Sequence, residues 1–314
     1  MLNIRQDIDL APLTTFKIGG TAKFFVEVKE KDELIEAVEW CEKNQQRFVI
    51  LAGGSNVLVY DTGFDGLVIR MANNDINIRG HRIECGAGAS LVQITGLAAA
   101  NNLSGLEWAA GIPGSMGGAI RGNAGAYGGE IGEVVEVIDL LNIKTGKFEL
   151  LSKRFCDFSY RDSLFKKDKN QIIWSATIKL ESGNNNEITK KMNENITARI
   201  AKQPKLPSAG SFFKNIMFTD LQKANPKLAE EAKVDGAVRE GKLAAAWLID
   251  QLDLRGKKIG DAKVSLEHAN FIVNCGNATA EDVITLTSLI KQQVRDKLKV
   301  QLVEEVEYIT PHNT

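Results

Sequence analysis

The sequence predicts an α+β (mixed α/β) protein of two lobes. Its 314 residues exceed what one compact core usually organises. The first part strings short apolar strands between only a few helical patterns, unlike the even βαβ rhythm of a doubly wound sheet. A polar break, Ser182-Gly183-Asn184-Asn185-Asn186, then separates that part from a segment that resumes as helix. The division expected is residues 1–183 for the first lobe, 184–300 for the second, and a closing strand in 301–314.

Taken in order, Asp32 to Asn44 predicts a helix, because Leu34, Ile35, Val38 and Cys41 form one stripe. The apolar run Phe48-Val49-Ile50-Leu51 predicts a strand that ends in Ala52-Gly53-Gly54-Ser55-Asn56, and Val57 to Tyr60 resumes the extended pattern. Strands follow at Leu67 to Met71, Asn77 to Arg79 and Arg82 to Cys85, then a small-residue helix from Leu91 to Asn101. Beyond a long glycine-rich stretch, strands are expected at Val134 to Ile143, Phe148 to Leu151 and Ile172 to Leu180. The second lobe should hold helices at Glu187 to Ala201 and near Leu243 to Gln251, and a strand at Phe271 to Asn274. Its last helix should open at Thr279-x-x-Asp282, close to a capping box, and run to about Leu298. Gln301 to Ile309 reads as a strand.

Composition narrows the function. A formal net charge of −1 gives no electrostatic case for nucleic acid or membrane as the main partner. Met1 to Phe16 carries no apolar h-region, and no run approaches the ~20 apolar residues of a membrane span, so a cytoplasmic protein is expected. Cys41, Cys85, Cys156 and Cys275 form no C-x-x-C pair, and His81, His268 and His312 are equally scattered. They read as reduced thiols and isolated imidazoles, with no protein metal site.

The chemistry-bearing signals are glycine turns. Gly53-Gly54-Ser55-Asn56 follows a strand; consecutive amides in such a turn form an anion-binding nest, with Ser55 and Asn56 as further donors. By itself it is equally a plain tight turn. It is neither a Walker loop, since no Gly-Lys-Ser/Thr follows, nor the G-x-G-x-x-G of a Rossmann unit. The stretch Gly105 to Gly128 supplies a second nest at Gly111-Ile112-Pro113-Gly114-Ser115-Met116-Gly117-Gly118, and two nests in one lobe favour a dinucleotide. Tyr160-Arg161-Asp162-Ser163 offers an arginine fork suited to a carboxylate, yet on residue type alone Arg161-Asp162 reads as a solvated surface pair. Ser211, between Gly210 and Phe212-Phe213-Lys214-Asn215, is either an exposed reactive hydroxyl or a strand start or N-cap. No His or Ser-x-x-Lys partner makes it a hydrolase nucleophile. Alternation leaves open which face of the closing strand is buried, so neither Glu304 nor Glu305 stands out.

Together these segments resemble one family, the flavin-dependent UDP-N-acetylenolpyruvoylglucosamine reductases of peptidoglycan synthesis (MurB). The resemblance begins at Thr14-Thr15-Phe16-Lys17-Ile18-Gly19-Gly20-x-Ala22 and takes in both glycine turns, Asn123-Ala124-Gly125-Ala126-Tyr127-Gly128 and Tyr160-Arg161-x-Ser163. In the second lobe it covers Pro207 to Asn215, Ala246-Trp247-Leu248-Ile249-Asp250 and His268 to Asn274. It implies an FAD-binding lobe of the vanillyl-alcohol-oxidase/PCMH type and a smaller α+β substrate-binding lobe that closes over the flavin. It also implies a UDP-N-acetylmuramate dehydrogenase activity with tightly bound FAD and NADPH as co-substrate. In that reaction hydride passes from FAD N5 to the enolpyruvyl carbon and a proton is added beside it. The protein is expected to act as a monomer on a UDP-sugar enolpyruvyl ether.

By position in those motifs, Ser211 is similar to the family's proton donor, Arg161 to the partner of the substrate carboxylate, and Glu305 to the residue that polarises the enol. Gly53, Gly54, Ser55, Asn56, Ile112, Pro113, Gly114, Ser115, Gly117 and Gly118 match the cofactor loops. Tyr160, Lys202 and Asn215 match substrate contacts, the last two near the diphosphate. The chain departs from the family at Ala52, at Ile216 and at Val303-Glu304, and Ser163 to Arg199 is too short for the tyrosine-bearing loop, so it resembles the shorter type. An FAD-linked oxidase of another alcohol is the competing expectation; it would reoxidise rapidly with oxygen and would not need Ser211.

Overall fold

A computed structural model describes residues 2–312. Strand pairing in the first lobe begins with a mixed sheet, in the spatial order Arg5–Asp9, Thr21–Val28, Phe64–Met71 and Phe48–Leu51. Its first junction is antiparallel and the other two are parallel. A parallel junction needs a crossover, and the helix Lys31–Lys43 provides one. Glu30 and Glu33 close a capping box at its start, and Leu34, Ala37 and Cys41 are its buried face.

A second, wholly antiparallel sheet runs Lys147–Ser152, Val135–Asn142, Gln171–Lys179, Arg82–Gly86, Ile76–Arg79. Val26, Ile69, Ile83, Ile138 and Ile178 belong to one apolar core that both sheets share with the helices Lys31–Lys43 and Leu91–Ala100. Burial of that continuous surface is what holds two differently built sheets together as one lobe.

The second lobe is an antiparallel sheet in the order Ser208–Ser211, Phe271–Asn274, Ala262–Val264, Lys258–Ile259. The helix Ala280–Leu298, opened by a Thr279/Asp282 capping box, packs Val283, Leu286 and Ile290 into its core. That core also contains Phe16, Ile18 and Leu58, which precede the break in the chain. Polar contacts reinforce the join. Thr15 Oγ1 donates to Ser208 O at 2.8 Å, and the Asp61 carboxylate accepts the amides of Ala280 and Glu281 at 2.8 and 3.1 Å. The N-terminal segment thus packs against the second lobe and completes its core.

Three expected elements differ. The helix after the polar break starts earlier, Asn185–Lys202, because Asn184 caps it; it lies on the first lobe, with Asn185 Nδ2 on Ala99 O at 2.7 Å and Asn195 Nδ2 on Glu107 O at 2.8 Å. The helix expected from Leu243 starts at Ala245, since Lys242–Leu243 is the middle strand of a small sheet with Ile216–Met217 and Val238–Arg239. Within Gln301 to Ile309 only Glu307–Ile309 is a strand, paired in parallel with Val57–Val59. Upstream, Val303 O accepts from Lys214 N and Glu305 N donates to Phe212 O. The segment changes partners midway, from the second lobe to the first, so no continuous ladder forms. No helix among the described residues is long and apolar enough to cross a membrane.

Candidate active site

The two glycine turns are in contact. A Cβ on Gly53 would lie 2.7 Å from Gly114 Cα and 3.0 Å from Ser115 N, while one on Gly114, at φ +124°, would lie 2.7 Å from Ser55 Oγ. Only glycine permits that approach. Among the described residues, the amides of Gly53, Gly54, Ser55, Asn56, Gly114 and Ser115 donate no hydrogen bond, whereas those of Met116 and Gly117 are bonded to Ala89 O and Ala87 O. Unpaired amides gathered from two touching loops are the donors an anion nest requires, and their number suits a pyrophosphate. Ser115 caps the helix Met116–Gly122, and Ile112 packs on the first-lobe core. Ala52 is absent from the positive-φ residues, so its methyl is accommodated where the family more often has glycine.

The surface-pair reading of Arg161-Asp162 is overturned. Arg161 pairs with Glu305 instead, Nε to Oε1 at 2.8 Å, with both side chains only about a fifth exposed at 21% and 19%, and Asp162 faces Lys167 at 3.4 Å. Arg161 sits at φ +55°, a left-handed conformation that a non-glycine residue adopts only when its surroundings hold it. Those surroundings are the second half of the glycine stretch. Nη1 donates to Asn123 O at 3.4 Å and Nη2 to Gly125 O at 2.6 Å. Asn123 is fully buried, and its side chain bonds Ser159 O and Gly132 N. Ser163, also fully buried, anchors the loop through Oγ on Arg121 O at 2.7 Å.

Glu305 ties the lobes to one another. Its carbonyl accepts from Asn56 Nδ2 at 3.1 Å, beside the first glycine turn, and its amide donates to Phe212 O at 2.8 Å, next to Ser211. Burial pushes the Glu305 carboxyl above its ordinary range, and the charges of Arg161, Lys166 and Lys214 pull it back only in part.

Ser211 ends the strand Ser208–Ser211, opposite Phe271, directly after Gly210 at φ +80°. It is half-buried, and among the described residues its hydroxyl has no hydrogen-bond partner. The strap after it is held rigidly: Asn270 accepts from Phe213 N through Oδ1 at 2.9 Å and donates to Phe213 O through Nδ2 at 2.8 Å. Lys214 Nζ reaches Arg161 O at 3.4 Å, and Asn215 N donates to the Tyr160 hydroxyl at 3.1 Å. Burial raises the Tyr160 phenol above its usual value, and its ring lies 5.3 Å from the Arg161 guanidinium carbon and 4.7 Å from Lys242 Nζ.

Arg161, Glu305, Ser211, Tyr160 and Asn215 therefore converge beside Asn56. Lys202 stands apart from them, exposed at the end of the helix Asn185–Lys202. Its charge reaches His268, whose pKa is lowered first by burial and then by Arg255, with Lys202 a smaller contributor. Reading the residues one at a time missed the parts played by Asn123, Gly125 and Asn270. Their signal lay in the sequence as Asn-Ala-Gly and Asn-Phe-Ile-Val-Asn, but the contacts are backbone carbonyls and buried amides that no spacing rule reveals.

Two touching glycine turns with unpaired amides, beside a half-buried arginine–carboxylate pair in an α+β chain without a Rossmann motif, suit an enzyme that binds a dinucleotide outside the Rossmann fold. Residues 22–151 match the family model for the FAD binding domain. Residues 202–309 match that for the C-terminal domain of UDP-N-acetylenolpyruvoylglucosamine reductase. A protein of that name from Solibacter usitatus is 34% identical over 309 residues, covering 98% of this chain and 97% of its own. Another from Caldanaerobacter subterraneus subsp. tengcongensis is 38% identical over 298 residues, covering 94% and 90%. The crystal structure of UDP-N-acetylenolpyruvylglucosamine reductase (MurB) from Thermus caldophilus superposes with a TM-score of 0.79 at 32% identity, covering 98% of this chain and 99% of that one. The chain belongs to the UDP-N-acetylenolpyruvoylglucosamine reductase family.

Proposed function

We propose that the protein reduces the enolpyruvyl ether of UDP-N-acetylglucosamine to UDP-N-acetylmuramate with electrons from NADPH, as a monomer in the cytoplasm. The observation that carries this reading is the Arg161–Glu305 pair at 2.8 Å, joined through Asn56 to the anion nest and through Phe212 to Ser211. Bound FAD, with its pyrophosphate on the Gly53 to Asn56 and Ile112 to Gly118 loops, supplies hydride chemistry that no side chain offers. The first lobe, on which the helix Asn185–Lys202 lies, then holds the dinucleotide, the lobe that follows that helix holds the substrate, and 301–314 deliver Glu305.

Arg161 binds and orients the substrate carboxylate. A guanidinium has five N–H groups; Nε and one on each terminal nitrogen are bonded within the protein. Among the described residues one N–H therefore remains on each terminal nitrogen, and two such donors can take a carboxylate in a bidentate bond. Hydride addition to the enolpyruvyl terminus places negative charge beside that carboxylate, where a fixed cation acts without reorganising. Glu305 holds the fork of Arg161 and helps polarise the enol. Ser211 Oγ donates the proton to the carbon bearing the carboxylate, with the Lys214 ammonium, three residues on, favouring the transient alkoxide. Tyr160 and Asn215 contact the sugar nucleotide, and Lys202 and Asn215 face its diphosphate.

An anaerobic titration tests the whole. NADPH should bleach the flavin band of the purified protein, and the enolpyruvyl sugar nucleotide, added without oxygen, should restore it. A flavin that stays reduced after that addition, yet recovers rapidly in air, would replace this reading with an oxidase.

A further inference from the structure

The segment around Arg161 and the segment around Glu305 are joined by two ion pairs, not one. Besides Arg161–Glu305, Lys166 Nζ lies 3.3 Å from Glu307 Oε1. Lys166 belongs to the short helix Leu164–Lys167, which begins just after Asp162 and Ser163, and its side chain is only 16% exposed. A lysine that buried needs a partner, and Glu307 is the carboxylate it has. Glu307 also pairs with Arg121, whose carbonyl anchors Ser163 in the same loop. Two rungs between the same two segments fix their relative register, which a single pair of long side chains does not.

We propose that Lys166 and Glu307 are positioning residues that hold the Arg161–Glu305 pair in its reactive geometry without touching substrate. The inference rests on the reductase reading of that pair. Glu305 is faced by Arg161 and Tyr160 on the loop, Lys166 on the short helix and Lys214 on the strap, while Glu307, two residues on, is paired with Lys166 and Arg121. Lys166 therefore does two jobs: it pins Glu307, and its charge favours the carboxylate form of Glu305.

The test is single-turnover kinetics on the flavin-loaded protein. Lys166→Gln and Glu307→Gln should each slow reoxidation by the enolpyruvyl substrate about 10- to 100-fold, the scale of a misplaced reacting group. Reduction by NADPH should change less than about threefold, since it does not use the carboxylate clamp. In Lys166→Gln the acid limb set by Glu305 should rise by about half a pH unit or more, because the charge that favours its carboxylate is gone. Lys166→Arg keeps the cation and should retain the rate within about threefold. Wild-type reoxidation with both glutamine variants unaffected overturns the positioning role, as does an acid limb that stays or falls in Lys166→Gln. A Lys166→Arg protein as slow as Lys166→Gln also overturns it. A wild-type protein that fails to reoxidise instead brings down the reductase reading itself.

Discussion

Among the described residues the Ser211 hydroxyl has no hydrogen-bond partner, while the residues after it are clamped by Asn270. The half-buried hydroxyl has access to solvent, so removing it orphans no protein group. Ser211→Ala should therefore leave folding and NADPH reduction nearly intact and slow reoxidation by the enol ether about 10²- to 10⁴-fold, read by anaerobic stopped-flow. Arg161→Lys keeps a charge but loses the planar fork and its bonds to Asn123 O and Gly125 O. Its second half-reaction should remain at least about tenfold slow, and full recovery would remove the bidentate role. The contrast between Arg161 and Ser211 also marks what the sequence made legible. Both are named by their motifs, yet the partner of Arg161 is 144 positions away in Glu305, and alternation along the closing segment gave no reason to prefer Glu305 over Glu304. Glu304 turns to Lys291 at 2.7 Å, a choice made by packing and not by pattern.

The elements that read most clearly were those with internal periodicity. Phe48–Leu51 and Phe271–Asn274 fall where the apolar runs end, and the capping box at Thr279 sets the start of Ala280–Leu298. Gln301 to Ile309 failed as one strand because its hydrogen bonds are divided between two lobes, a tertiary fact with no local signature. The glycine loops lie between these cases. Their density signalled close approach, but not that they approach each other. Gly53→Ala should force a methyl to within 2.7 Å of Gly114 Cα, push the loops apart and cost about 1–3 kcal/mol of packing. The protein should then lose flavin on gel filtration, measured as the ratio of flavin to protein absorbance. Gly96→Ala is the control: nothing lies within 4 Å of that position on the helix Leu91–Ala100, so flavin should be retained and stability rise by about 0.5–1 kcal/mol.

Over the whole molecule, the lobes are stitched by N-terminal residues that complete the second core. Phe16 and Ile18 lie in the second core, and Asp61 caps a second-lobe helix. Heat and denaturant should meet a largely cooperative unit. The buried thiols add a pH dependence to its stability. Burial raises Cys41 and Cys85 from 9.0 to about 12. The unfolded chain thus gives up these protons first. Their contribution is complete below pH 9 and is lost as the pH rises toward about 12. The urea midpoint should fall between about pH 8 and pH 10.5, and the drop should be smaller in Cys85→Ala.

The pairing of Glu307–Ile309 with Val57–Val59 also has a consequence in time. Asn56 and Glu305 touch across 249 positions of sequence. A ribosome making this chain releases the anion nest, the arginine loop and the serine strap well before the carboxylate that joins them. The first lobe's sheets can form early from nearer neighbours, but the arginine waits, held at a positive φ, for a partner not yet synthesised. Competence to react therefore arrives as a late step in the life of each molecule.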